Sequence, residues 1–103
     1  MKKKKVEITK LDVADLLQSE DDVRCFLQEA LNENDAELWQ KAIGYAARSA
    51  GMAKIADAAG LNRESLYKSL KEGAHPRFDT IMKVLNAMQL KLCIMPITKM
   101  NFS

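Results

Sequence analysis

The chain has 103 residues, 48% of them hydrophobic, and its 16 Lys and Arg against 14 Asp and Glu give a formal net charge of +2. This length indicates one domain, and the apolar share is that of a folded protein rather than a disordered one. No apolar run approaches the roughly 20 residues that a membrane-spanning helix needs. The basic start Lys2–Lys5 precedes Val6–Thr9 and not an apolar signal-peptide core, so we expect a cytoplasmic protein.

Charge is divided unevenly along the chain. Residues 51–103 hold eight Lys or Arg and four Asp or Glu, whereas residues 6–50 hold four and ten. The basic part suits contacts with phosphate. The acidic part is either a solvated face with helix caps or a surface for a basic partner.

Helices are predicted through residues 11–50, after a basic tail over residues 1–8. The first is short, Leu11–Leu17. The second begins at Ser19, because Ser19-Glu20-Asp21-Asp22 is close to a capping box, with Asp in place of the usual Glu or Gln. Its apolar residues recur at intervals of three and four, which predicts an amphipathic helix up to the break at residues 32–34.

A third helix is predicted over Ala36–Ala50, with Asp35 as its N-cap. It has a broad apolar face that includes Trp39, the only Trp of the chain. We expect Trp39 to lie in the core or at a dimer contact. Gly51 ends this helix.

Residues 51–71 carry the most informative pattern, two short helices joined by a tight turn. The apolar residues of the first helix fall on one face; they are Met52, Ile55, Ala56 and Ala59. Gly60 follows, at a position that often needs a positive φ, which only glycine adopts without a Cβ clash. This spacing is that of a helix-turn-helix, which places its second helix in the DNA major groove.

The second helix of this pair is predicted over Arg63–Leu70, with Asn62 as its N-cap and Leu61 filling the corner between the helices. Leu66 and Leu70 are four residues apart and face inward. The opposite side then carries the polar residues, which a recognition helix needs for contact with DNA.

The last third of the chain changes in character. Residues 72–89 contain a loop, Gly73–Pro76, and a last helix over Phe78–Met88. Residues 90–97 are apolar and partly alternating, and they predict a short strand. Since a lone strand needs a partner, it pairs either with Lys5–Thr9 or with its copy in another subunit, and we favour the intersubunit pairing.

Nothing in the sequence predicts an enzyme. There is no Gly-rich phosphate loop, no HExxH and no useful Cys–His spacing. Cys25 and Cys93 are expected to be reduced and partly buried, and His75 is expected to be a loop or solvent residue, or else a phosphate contact. With one His and two Cys we expect neither a metal site nor a cofactor.

The motif resembles the helix-turn-helix of phage-repressor-like (Xre/Cro-type) domains, and more closely their subgroup of small antidote proteins from toxin–antitoxin addiction modules. The similarity lies in LDVADLLQSEDDVRCFLQEAL and GMAKIADAAGLNRESLYKSLKEGAHPRFDTIMKVLNAMQLKL, and GLNRESLYKSL is its most specific part. It covers roughly residues 9–95. One departure is Ser69, where an apolar residue is common, and Leu70 is expected to supply that packing. The resemblance implies a mostly helical bundle of five to six helices.

Candidate DNA contacts follow from the motif. Arg63 can bond guanine O6 and N7 in bidentate fashion, and Glu64 can accept from cytosine N4. The remaining candidates are expected at phosphates, sugars or flanking positions; they are Asn62, Ser65, Tyr67, Lys68, Lys71, Lys54 and Arg77.

The predicted protein is therefore an all-α, single-domain antitoxin that acts as a homodimer. It represses its own operon by binding double-stranded operator DNA, and it neutralises a cognate toxin, which the resemblance implies to be a small basic RNase-type protein. Two alternatives remain open. One is a stand-alone phage-type repressor without a toxin, and the other is a protein-interaction module that has lost DNA binding.

Overall fold

The computed structural model describes residues 17–98, and its regular structure consists of five α-helices. In chain order they are α1 Glu20–Asn32, α2 Ala36–Ala50, α3 Met52–Ala59, α4 Arg63–Leu70 and α5 Phe78–Ala87. The all-α prediction is confirmed for this part of the chain. The basic tail, the strand candidate Lys5–Thr9 and all but the last residue of the short helix Leu11–Leu17 lie outside the described residues.

Side-chain caps begin the first two helices where the sequence predicts them. The Asp22 N–H donates to Ser19 Oγ over 3.1 Å, and Asp22 Oδ2 accepts from the Gln18 N–H over 3.1 Å. The reciprocal bond therefore reaches one residue before the N-cap, unlike an ordinary capping box. At α2, Asp35 Oδ1 accepts from the N–H groups of Glu37 and Leu38. These bonds satisfy amide groups that have no partner within the helix.

The turn between α3 and α4 is built by Gly60. Its φ of 69° and ψ of 34° are left-handed, as predicted. The Leu61 N–H donates to the Ala56 carbonyl over 2.8 Å, and the Gly60 N–H donates to the Asp57 carbonyl over 3.2 Å. This pair of bonds is a Schellman motif, which closes a helix and redirects the chain.

The core is formed by the apolar faces of all five helices, with α3 packed against α2, α4 and α5, and α1 packed against α2. Among the described residues the cluster of buried side chains consists of Leu27, Ala30, Ala42, Ile43, Ala46, Ala47, Met52, Ile55, Ala56, Leu66, Leu70, Ile81, Val84 and Leu85. Leu61 and Trp39 pack against it and are partly buried, which fits the predicted place of Leu61 in the corner.

Helices α2 and α4 meet at a glycine. A Cβ built at Gly44 would lie 2.8 Å from the carbonyl oxygen of Leu70, closer than real Cβ atoms approach. The last turn of α4 therefore packs directly on the α2 backbone. The sequence alone does not predict this contact at Gly44.

The predicted C-terminal strand is not present in the described part of the chain. Residues 91–96 have no regular secondary structure, and residues 97 and 98 form a bend. A strand is stabilised by the hydrogen bonds of its neighbour, and residues 17–98 contain no other strand to supply them. Pairing with a second subunit remains a prediction.

The expectation that the two cysteines are partly buried is wrong. Cys25 and Cys93 are free thiols but are exposed, because Cys25 is on the outer side of α1 and Cys93 is in the irregular segment after α5. Phe78 and Met82, which are apolar residues of α5, are also exposed. The buried face of α5 is instead formed by Ile81, Val84 and Leu85.

No helix within residues 17–98 combines the length and apolarity needed to cross a bilayer.

Candidate nucleic-acid interface

Helix α4 presents a polar face because two leucines hold its other face in the core. Leu66 and Leu70 are 1% and 3% exposed. All the predicted contact residues on this helix are exposed; they are Arg63, Glu64, Ser65, Tyr67 and Lys68. The i, i+4 spacing of the leucines thus fixes which side chains can meet a ligand.

Arg63 and Tyr67 are brought together on this face. They are one turn apart, and the Arg63 Cζ lies 5.9 Å from the centre of the Tyr67 ring. This is within the range of a cation–π contact. The ring therefore lies beside the guanidinium, and Arg63 remains exposed to a ligand.

Asn62 is the N-cap of α4, as predicted. Its Oδ1 accepts from the Ser65 N–H over 3.0 Å. An asparagine amide also has two N–H donors, so the cap leaves the amide nitrogen able to donate to a second group. Asn62 and Ser65 lie side by side at the first turn, where the helix dipole favours negative charge.

Lys68 and Lys71 occupy different environments, although both are exposed. Lys68 is in the last turn of α4. Lys71 follows the helix, with an extended backbone at φ −73° and ψ 156°, so it is not a residue of α4. It lines an open cleft between the start of α2 and the loop that contains His75.

That cleft carries mixed charge. Lys41 Nζ lies 3.2 Å from Glu72 Oε2, which ties α2 to the loop after α4. Asp35 and Glu37 also line the cleft. Lys71 and His75 therefore do not form a purely basic site with their neighbours.

Lys54 and Arg77 lie on either side of α4 in sequence. The structure places Lys54 on α3 and Arg77 at the N-cap of α5. Lys54 is in the first turn of α3 and is exposed. Arg77 is the residue before α5, and its Nε lies 3.2 Å from Asp79 Oδ1. Within residues 17–98 neither side chain forms a hydrogen bond or an ion pair with the polar face of α4. Arg77 is thus partly neutralised by an acid of its own helix.

The polar face of α4 lies on the open surface of the protein. Within residues 17–98 no group of three or more His, Cys, Asp or Glu is placed to hold a metal ion. The buried side chains of the described core are all hydrophobic. The candidate site is therefore an exposed polar surface and not an enclosed pocket.

Comparison with known proteins places the chain in a family. The model of a family described as probable addiction module antidote protein matches residues 7–96. The chain belongs to this antidote family. A protein of Haemophilus influenzae described only as uncharacterized is 41% identical over 85 residues, which are 82% of this chain and 88% of that protein. No solved structure matches the chain.

Membership confirms the predicted resemblance to addiction module antidotes. An antidote acts against a toxin of its module, so the family implies a toxin partner of some kind. The matched span includes all five helices. It therefore covers the polar face of α4 as well as the acidic helix α1.

Proposed function

We propose that this antidote-family chain is a DNA-binding antitoxin that represses its own operon and neutralises its toxin by direct binding. In this proposal α3, the Gly60 turn and α4 act as a helix-turn-helix of the Xre/Cro type. The observation that carries it is the exposed polar face of α4, held outward by the burial of Leu66 and Leu70.

The dimensions of α4 support insertion into DNA. An α-helix with its side chains is about 10–12 Å in diameter, which fits the major groove, about 12 Å wide. In a helix-turn-helix the first residues of the second helix contact base edges. Arg63 and Glu64 occupy these positions here, and both are exposed.

Each candidate residue has a chemical role in this proposal. Arg63 donates to guanine O6 and N7, and Glu64 accepts from cytosine N4. Lys68 and Lys71 contact phosphates, with Lys54 and Arg77 at flanking phosphates. Tyr67 stacks on Arg63 and can cover a sugar or a thymine methyl group.

Repression would require two copies of the chain. A homodimer places its two recognition helices about 34 Å apart, one turn of DNA, on a palindromic operator. Occupation of that operator would block the promoter of the module. This arrangement couples the supply of antitoxin to its own concentration.

The toxin surface is proposed at α1 and the start of α2. Residues 20–37 hold seven Asp or Glu and a single Arg. Several of these acids have local partners, since Asp22 accepts from the Gln18 N–H, Asp21 pairs with Arg24 at 3.5 Å, and Asp35 caps α2. An acidic helix surface complements a small basic RNase-type toxin.

A promoter reporter tests the DNA-binding half of the proposal. The upstream region of the gene drives the reporter, and we expect the chain to repress it. Arg63→Ala and Lys68→Ala should relieve repression. Arg24→Ala removes the same charge from α1, and it should leave repression unchanged. Equal repression by all variants would favour the protein-interaction module.

Co-expression with a toxin tests the other half. A toxin-sized basic reading frame beside the gene supplies the candidate, and its absence would favour the stand-alone repressor. Glu20→Lys with Asp21→Lys should weaken rescue of growth while repression persists. Asp22 is left unchanged because its carboxylate caps α1. Full rescue by this variant would remove α1 as the toxin surface.

A further inference from the structure

The segment after α5 exposes apolar side chains and an unpaired backbone. Ile94 and Ile97 are 99% and 97% exposed, and Met95 is 72% exposed. In the part of the chain from residue 17 to residue 98, no backbone hydrogen bond involves residues 91–98. Free N–H and C=O groups along an extended apolar segment are a template for pairing with another strand.

One side of this segment is already anchored to the helices. Gln89 has a left-handed φ of 65°, and the Leu90 N–H donates to the Leu85 carbonyl over 2.9 Å, which turns the chain away from α5. Leu90 and Leu92 then pack on the core. They line a shallow groove together with Leu27, Leu31, Trp39 and Leu85.

Burial alternates at the start of this segment, since Leu90 and Leu92 are partly buried while Lys91 and Cys93 are exposed. A strand that continues this alternation has Ile94 on the same face as Leu90 and Leu92. In one copy, however, Ile94 has no helix beneath it, as its nearly complete exposure shows. Ile94 thus extends the apolar face of Leu90 and Leu92 but contacts no other surface in one copy. An exposed apolar patch of this kind indicates an interaction site.

We propose that residues 91–95 pair antiparallel with the same residues of a second copy, about a two-fold axis at Cys93. In this register Leu92 lies opposite Ile94 of the second copy, and Lys91 lies opposite Met95. Ile94 of each copy then packs beside Leu92 of the other copy, at the groove that this Leu92 lines. Pro96 has no N–H and ends the ladder.

A second copy fits this segment better than any segment within residues 17–98, which contain no strand that could pair with it. Pairing with Lys5–Thr9 instead would leave the Cys93 residues of two copies apart. Residues 92–97 carry no charge, so an identical uncharged strand is an acceptable neighbour. The register keeps the two Lys91 side chains apart, whereas like charges directly opposite each other destabilise a pair.

The apolar surface of this segment favours a dimer. Ile94 and Met95 are largely exposed in one copy, and the register places both residues in the paired ladder of each copy. A small specific interface buries roughly 1,200 Å² in total, which these side chains would supply together with the paired backbone and the grooves beneath Leu92 and Ile94. The inference rests on the homodimer in the proposed function and gives it an interface.

Disulfide trapping tests the register. In a Cys25→Ser background, the two Cys93 Cα atoms would be about 4.5–5.5 Å apart, within the range of a disulfide. We expect oxidation to give a covalent dimer. Lys91→Cys in a chain that also carries Cys25→Ser and Cys93→Ser is the control, because its two copies would be about 14 Å apart. Failure to cross-link at 93, or equal cross-linking at both positions, would overturn the register.

Sedimentation of the full chain tests the interface itself. Ile94→Glu should weaken dimerisation at least tenfold without loss of helical circular dichroism, because Ile94 does not contribute to the core of one copy. Phe78→Glu changes an exposed apolar residue elsewhere and should leave the dimer intact. A dimer that survives Ile94→Glu overturns the interface and keeps the dimeric repressor. A monomeric wild-type chain overturns both the interface and the dimeric repressor. If the Cys93 thiol is protected from modification only when toxin is added, the segment binds the toxin and not a second copy.

Discussion

At Gly44 the absence of a side chain decides how closely α2 and α4 approach. Alanine is a better helix former than glycine by about 1 kcal/mol, so a helix considered alone would gain from Gly44→Ala. The new Cβ would meet the Leu70 carbonyl oxygen at 2.8 Å, and a backbone atom cannot rotate away. We predict a net loss of about 1–2 kcal/mol in the free energy of unfolding.

Urea unfolding measures this loss. Ser49→Ala, at an exposed position of the same helix, is the matched control and should be neutral or slightly stabilising. Because this contact positions the end of α4 on α2, Gly44→Ala should shift α4 and so also weaken DNA binding. A variant more stable than the wild type would contradict the close approach.

Two substitutions of Asn62 distinguish its effect on the stability of α4 from its effect on DNA binding. Asn62→Ala loses the bond to the Ser65 N–H and should cost about 1 kcal/mol of folding stability. Asn62→Asp keeps a capping oxygen, so its stability should match the wild type. Its negative charge would face phosphate, and operator affinity should fall. Unchanged affinity for the Asp variant, measured by fluorescence anisotropy, would place Asn62 away from the DNA.

Single residues also show what sequence can predict. The caps at Ser19, Asp35 and Asn62 and the left-handed Gly60 are local features, and the structure confirms each of them. The close contact at Gly44 joins residues far apart in sequence, so spacing alone could not reveal it. A glycine inside a strongly helical segment is the one signal that could have indicated it.

Among the helices, α4 and the start of α5 should contribute unequally to phosphate binding. Lys68 has no ion pair with the described residues, whereas Arg77 pairs with Asp79 at 3.2 Å. Lys68→Ala should therefore reduce the slope of log affinity against log salt by about one. Arg77→Ala should reduce it less, because the pair is nearly neutral overall.

A series of binding titrations at several salt concentrations checks this ranking. Asp79→Asn is the informative companion, since removal of the acid frees Arg77 and should raise affinity. If Arg77→Ala lowers the slope more than Lys68→Ala, the flanking loop dominates the contact and α4 does not. Both variants lie on exposed positions, so folding should be unaffected.

At the level of elements, the helix bounds could be predicted from the sequence, whereas the C-terminal strand is not present in the described residues. The predicted spans Ala36–Ala50 and Arg63–Leu70 are those of α2 and α4. In α5, Phe78 and Met82 are exposed although they are apolar, because the core takes up only one side of that helix. Which of several apolar side chains is buried depends on neighbouring helices, and whether residues 90–97 form a strand depends on a partner.

For the whole molecule, charge separates two surfaces on different helices. Residues 20–37, in α1 and at the start of α2, carry seven acids and one base. The α4 face and its flanks carry Arg63, Lys68, Lys71, Lys54 and Arg77. Because α1 packs on α2 while α4 packs on α2 and α3, we expect changes at one surface to leave the other functional.

The central claim is that the α4 face recognises operator DNA. Its most direct test is binding of the full chain to a labelled duplex of its own upstream region, against a scrambled duplex, at near-physiological salt. The account predicts a preference of about a thousandfold for the native duplex, within the range of specific regulators, and loss of that preference in Arg63→Ala. Equal weak binding to both duplexes would contradict it and would leave the fold serving a partner protein.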